Sequence, residues 1–193
     1  MPTGRFGPRV QGLIGYLSGR FSVSRRDVEE MMTAIFQVEI SLGAVSAQEA
    51  KLSSALAQPV NEAQTYVQRQ AQINTDETSW AKNNKRQWLW TASTEWVTIF
   101  LVVATRGADG FKQLVGTEFD GIVGSDRWSA YNWLDASRRQ LCWAHLLRDF
   151  QAFVDRKGES AVIGQVLLKQ ATAMFGLWHR ARDGTLSLSL IHI

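Results

Sequence analysis

The chain reads as a mixed α/β sheet protein preceded by a small all-helical region, and three features carry that reading. Residues 1–70 repeat apolar positions at helical spacing, whereas from residue 71 the apolar residues come in short strand-like runs. One run, Val97-Thr98-Ile99-Phe100-Leu101-Val102-Val103-Ala104, has one hydroxyl and no charge, the pattern of a strand buried on both faces. Two other runs end in acids: Ile73-Asn74-Thr75-Asp76-Glu77, and Phe119 through Asp126. Neighbouring strands that deliver Asp76 and Asp126 to one end of a sheet would make a site for a hard divalent cation. Magnesium takes oxygen ligands and usually keeps several waters. That combination points to a metal-dependent nuclease or strand-transfer core.

In chain order, Pro8 can open a first helix in which Val10, Leu13, Ile14 and Leu17 recur at i, i+3, i+4, i+7, with Gly19 near its end. Ser24 and Asp27 form a capping-box-like start for a second helix carrying Val28, Met31, Met32 and Ile35. After a four-residue break, Gln37-Val38-Glu39-Ile40, Ser41 is a natural N-cap for a third helix to about Ala57. Three short helices with that turn suggest a helix-turn-helix-like region over residues 1–58, or a plain bundle. The third helix offers Gln48, Lys51 and Gln58 but no arginine. Pro59 should end it, leaving 59–70 as a connecting helix. Strands are then expected at Ala71–Asp76, Arg86–Ala92 and Trp96–Ala104, joined by polar connections at 82–85 and 93–95. Phe111, Leu114 and Val115 mark a short helix, Phe119–Asp126 a strand parallel to the first, and Leu141-Cys142-Trp143 a fifth strand before a helix to about Val154.

Composition sets the limits. A chain of 193 residues can bury one good core, or a core plus a small helical domain. A net charge of +3 permits a nucleic-acid partner without requiring one. The single cysteine, Cys142, excludes an intramolecular disulfide and a multi-cysteine zinc site in this chain, and is expected to fill space in the core. No apolar run approaches the roughly 20 residues of a membrane span, and no signal-peptide pattern opens the chain. The expectation is a soluble, cytoplasmic protein.

The element order matches a ribonuclease-H-like sheet with flanking helices, and three segments carry a family likeness. Asp76-Glu77-Thr78, Ser125-Asp126-Arg127-Trp128-Ser129-Ala130-Tyr131 and Cys142 through Phe150 resemble the core of transposases of the insertion-sequence-sixty-six family. Upstream, Phe6-Gly7-Pro8-Arg9 and Ile40-Ser41-Leu42-Gly43 resemble the helical region preceding that core. The resemblance spans roughly residues 5 to 157 and implies a bacterial enzyme that cuts DNA and transfers strands through an Asp-Asp-Glu triad. It implies two Mg²⁺ or Mn²⁺ ions in the complete enzyme, with Asp76 and Asp126 as catalytic metal ligands. The implied partners are transposon ends and target DNA, held by a homo-oligomer when full length, and no membrane.

Two ions about 3.5–4 Å apart can clamp both oxygens of an in-line phosphoryl displacement, with Asp76 bridging them and Asp126 holding one. The third acid is harder to place. Spacing nominates Glu159, with Asp149 and Asp155 nearer. In the family resembled, however, the glutamate follows a long helical insertion after the Trp-Ala-His segment. The expectation is therefore a core over 71–183 that is incomplete at its C-terminal end, inactive alone, with 184–193 a non-native tail. Glu77, adjacent to Asp76, should point the other way and meet a backbone amide or a basic neighbour. Arg127, Trp128, Tyr131, His145 and Arg148 are candidate nucleic-acid contacts. Two other readings stay open: a DNA-binding module without catalysis, and an unrelated ribonuclease-H-like nuclease using Glu159.

Overall fold

The computed structural model describes residues 6–82 and 84–187, which divide into two compact units with the boundary after Thr65. In the first, α1 (Pro8–Phe21) opens on Pro8 and α2 (Arg25–Ala34) on Ser24, whose hydroxyl accepts from Asp27 N at 3.2 Å. Ile14, Leu17, Val28, Met32, Ile40 and Val45 form one buried cluster. These are the positions picked out by helical periodicity, together with two residues flanking the start of the third helix.

That third helix departs from expectation. α3 runs Leu42–Gln68, 27 residues, with Pro59 inside it. A proline removes one intrahelical hydrogen bond and crowds the preceding turn. Here the helix continues on both sides, and Gln58 Nε2 donates to Glu62 Oε1 at 2.8 Å across the proline. Gln48 is 6% exposed and belongs to the interior, so it offers no surface for a base edge.

The second unit holds a five-stranded sheet in the order β3-β2-β1-β4-β5. β1 (Gln72–Lys82), β2 (Lys85–Ser93) and β3 (Thr98–Val103) form an antiparallel meander, whereas β4 (Ile122–Ser125) and β5 (Arg139–Leu141) run parallel to β1. This mixed sheet, with helices on its flanks and before it, is consistent with the ribonuclease-H-like fold. β3 lies at an edge and is not buried on both faces: Phe100 is 64% exposed. Its uncharged run buries one alternating set, Ile99 foremost, and leaves the other open. Trp96, expected on this strand, stands in the β2–β3 turn at 78% exposure, outside the ladder.

One sheet face is covered by α4 (Ala108–Val115), whose Phe111, Leu114 and Val115 are buried. Phe111 packs against Trp90 and Tyr131 with ring centroids 6.0 and 5.2 Å apart. Gly110 lets β2 approach, because a Cβ there would sit 2.5 Å from Trp90 Nε1. After β5 come α5 (Trp143–Asp155) and α6 (Gly158–Arg182), which pack against each other. β5 ends at Leu141, so Cys142 and Trp143, expected on the strand, open α5 instead. α6 carries the helical part of the chain well beyond the helix to about Val154 expected from the sequence. Of the tail expected over 184–193, residues 188–193 lie outside the described residues, as does Asn83 of the polar connection.

Candidate active site

The parallel ladder of β1 with β4 pairs Gln72 with Ile122, Ile73 with Val123 and Asn74 with Gly124. Asp76 lies two residues beyond Asn74, and Asp126 two beyond Gly124. Asp126 is the first residue past the end of β4, so the acids lie at the same end of two neighbouring strands whose axes stand roughly 4.8 Å apart. Side-chain alternation sends residues 74, 76 and 124 to one face, and Asp126, just past β4, lines the cavity that opens there. The cavity measures about 410 Å³, its lining including Asn74, Asp76, Thr91, Asp126, Cys142 and His145. Gly124 forms part of it, since a Cβ there would meet Asn74 Oδ1 at 2.3 Å.

Both carboxylates are held from behind. Asp76 Oδ1 accepts from Glu77 N at 3.0 Å, and Asp126 Oδ1 accepts from Trp128 N at 2.8 Å, an Asx turn. The remaining oxygen of each has no hydrogen-bond partner among the described residues. The β4–β5 register is extended by Cys142 N, which donates to Ser125 O at 2.7 Å and brings the start of α5 to this rim. Cys142 is thus half-buried at a helix N-cap and lines the cavity, where core filling was expected. The His145 side chain and backbone draw its thiol below the usual range. The imidazole Nδ1 is itself buried without an aligned hydrogen bond.

Glu77 faces the opposite side of β1, as its parity requires, and finds the basic neighbour expected of it. Arg106 Nε and Nη2 both lie 3.0 Å from Glu77 Oε1, and Tyr131 Oη donates to Oε2 at 2.8 Å. Arg106 in turn stacks 4.0 Å from the Trp128 ring centroid, while Trp128 Nε1 donates to Arg106 O at 3.2 Å. The loop that carries Asp126 is thereby fastened to β1 through Trp128 and Tyr131. Burial of Glu77 raises its pKa above the ordinary glutamate range despite the hydrogen bonds from Tyr131 and Arg106, and the nearby Asp126 charge adds to the rise. Burial and the Glu77 charge likewise push the Tyr131 hydroxyl far up, so it stays a donor. The sequence analysis assigned Arg106 no role. The signal available was a carboxylate on the buried parity of β1, which demands a partner.

The remaining candidates fall in different places. Arg127 is exposed and paired with Asp149, Trp128 is 37% exposed, and Arg148 is exposed with Nε donating to Ala144 O. Tyr131, expected among the nucleic-acid contacts, is fully buried and offers them no surface. His145 reaches the cavity. None of the third-acid candidates does: Asp149 pairs with Arg127, Asp155 accepts from Gln151, and Glu159 is exposed in the first turn of α6. Among the described residues no group of three or more His, Cys, Asp or Glu side chains could hold a metal. No described helix is long and apolar enough to cross a membrane.

Residues 5–186 match the family model described as Transposase IS66 family. No curated protein matches the chain.

Proposed function

The chain belongs to the IS66 transposase family, and from that premise we propose that Asp76 and Asp126 form the metal-holding part of a centre that cleaves DNA and transfers strands for an insertion sequence. The observation that carries this reading is the common height of the two acids on β1 and β4. Their chemistry fits Mg²⁺ or Mn²⁺: oxygen donors only, one free oxygen each, and a cavity with room for the waters such ions retain. Asp126 and Glu77 also lie close enough for their charges to repel, while Arg106 pairs with Glu77.

A pair of such ions, when bound, activates the attacking hydroxyl and stabilises the departing oxygen of a phosphodiester. The protein's share is positional. The amides of Glu77 and Trp128 fix the two carboxylates, and the Glu77–Tyr131 bond ties the Asp126 loop to β1. Arg127, Arg148 and Trp128 offer exposed contacts for the phosphates and bases of transposon-end and target DNA, and His145 borders the cavity they would enter. Joining two DNA ends calls for more than one copy of the chain.

Mn²⁺ titration followed by electron paramagnetic resonance tests the centre. Asp76→Asn or Asp126→Asn should weaken binding by more than the tenfold to hundredfold typical of losing an outer-shell contact, with thermal unfolding unchanged. Equal binding by the wild type and both variants, or none by the wild type, would refute the proposal. A DNA-binding module without catalysis would show DNA affinity indifferent to Asp76→Asn and no cleavage promoted by magnesium.

A further inference from the structure

β1 and β2 outrun the rest of the sheet. β4 pairs with β1 only at Gln72–Asn74, and β3 leaves β2 at Trp88, opposite Ser79. The pairs Trp80–Gln87, Ala81–Arg86 and Lys82–Lys85 therefore form a ribbon with no third strand. Residues 78–88 carry three cations and no acid. None of the three pairs with a carboxylate among the described residues. Lys82 and Lys85 stand directly opposite each other, an arrangement that destabilises a hairpin unless something neutralises it. Arg86 is braced on the Trp88 ring at 4.8 Å. On the face that carries Asp76, the next residues outward are Thr78, Trp80 and Lys82, and Trp80 is 47% exposed.

We propose that this ribbon is a DNA-contacting arm that enters a groove: Lys82 and Lys85 on the Asp76 face and Arg86 on the other face engage the phosphates of its two walls, and Trp80 packs against bases or sugars between Lys82 and the Asp76–Asp126 centre. The partner is DNA because the arm presents unpaired cations beside an exposed indole, and a two-stranded ribbon matches the width of a DNA groove. Lys82 lies six residue steps along β1 from Asp76, roughly 20 Å at ~3.3 Å per residue. At ~3.4 Å per base pair that places the phosphate contacts about six base pairs from the scissile bond. The position relative to the cut rests on the function proposed above; the DNA contact itself does not.

The test is fluorescence anisotropy of the full chain with a labelled DNA duplex bearing a single-stranded 3′ tail, over a salt series without divalent ions. The triple variant Lys82→Ala/Lys85→Ala/Arg86→Ala should lose at least about tenfold in affinity. Its log–log salt slope should be shallower by about 2.7, at about 0.9 per phosphate contact. Trp80→Ala should cost about tenfold with the slope unchanged. Melting of the triple variant should stay close to wild type, since relief of the Lys82–Lys85 repulsion offsets the lost Arg86–Trp88 contact. Should it fail to fold, Lys82→Gln alone should flatten the slope by about 1. Unchanged affinity and slope, or a wild-type chain without salt-dependent binding, overturns the arm. Mn²⁺ binding separates the two claims: losing it with ribbon-dependent affinity intact strikes the metal centre and spares the arm, and the reverse result strikes the arm alone.

Discussion

Glu77 shows how one side chain behind a site can govern it. Its carboxylate is 1% exposed yet satisfied by Arg106 and Tyr131, so an amide there, with one acceptor oxygen in place of two, leaves one of those donors unmatched. Because Arg106 keeps some contact with water, Glu77→Gln should cost about 2 kcal/mol, less than breaking a fully enclosed pair. Urea unfolding measures it. The pH dependence has a definite sign. The folded-state pKa is raised, chiefly by burial, so the contribution of Glu77 is complete below the ordinary glutamate range and declines as pH rises through the raised value. The stability difference between wild type and Glu77→Gln should therefore shrink with rising pH over that interval; a widening difference would contradict the assignment. Alternation along β1 made the direction of Glu77 readable from the sequence. Its partner Arg106, 29 residues away, was not, because only the β2–β3 meander and the start of α4 bring them together.

The elements differ in how plainly they announced themselves. α1 and α2 were legible because cap and period agreed. α3 was cut short on paper by Pro59, where a local rule gave way to a helix sustained from both sides. Pro59→Ala should restore the missing hydrogen bond at an exposed site and add about 2 kcal/mol of stability, read as a higher midpoint of the helical circular-dichroism signal. A lower midpoint would show that the proline contributes more through the unfolded chain than it costs the helix. The length of α6 was not legible because its apolar residues form no clean stripe: Val162, Ile163 and Val166 are exposed while Gly164 and Ala171 are buried. Its fit to α5 depends on Gly164, where a Cβ would lie 2.7 Å from Phe150 O and Val154 N. Backbone cannot step aside as a flexible side chain can. Gly164→Ala should destabilise the chain by about 1–3 kcal/mol, and an unchanged thermal midpoint would show that the helices separate freely.

At the scale of the molecule, the strand order, both acids and their delivery to one end of the sheet were expected from the sequence, but the register that sets their heights was not readable there. Asp76 and Asp126 could be nominated from the ends of apolar runs, whereas their common height comes from ladder register, a property of two segments together. The same gap explains why Cys142 was misplaced and why Asn74, Thr91 and Ser93 went unnoticed: each joins the cavity through pairing with a neighbour. It also explains why β3 was read as an inner strand, since composition reports what is apolar and topology decides what is covered. One consequence of the register concerns how such a chain can change over time. The backbone between the two acids leaves β1, makes two strands and a helix, and returns in β4, yet none of that excursion sets how far apart they stand. Residues added at the tight bend closed by Thr94 and Val97 would lengthen the detour and leave the gap between the carboxylates untouched. Ancestral insertions and deletions can accumulate there without the chemistry having to be retuned.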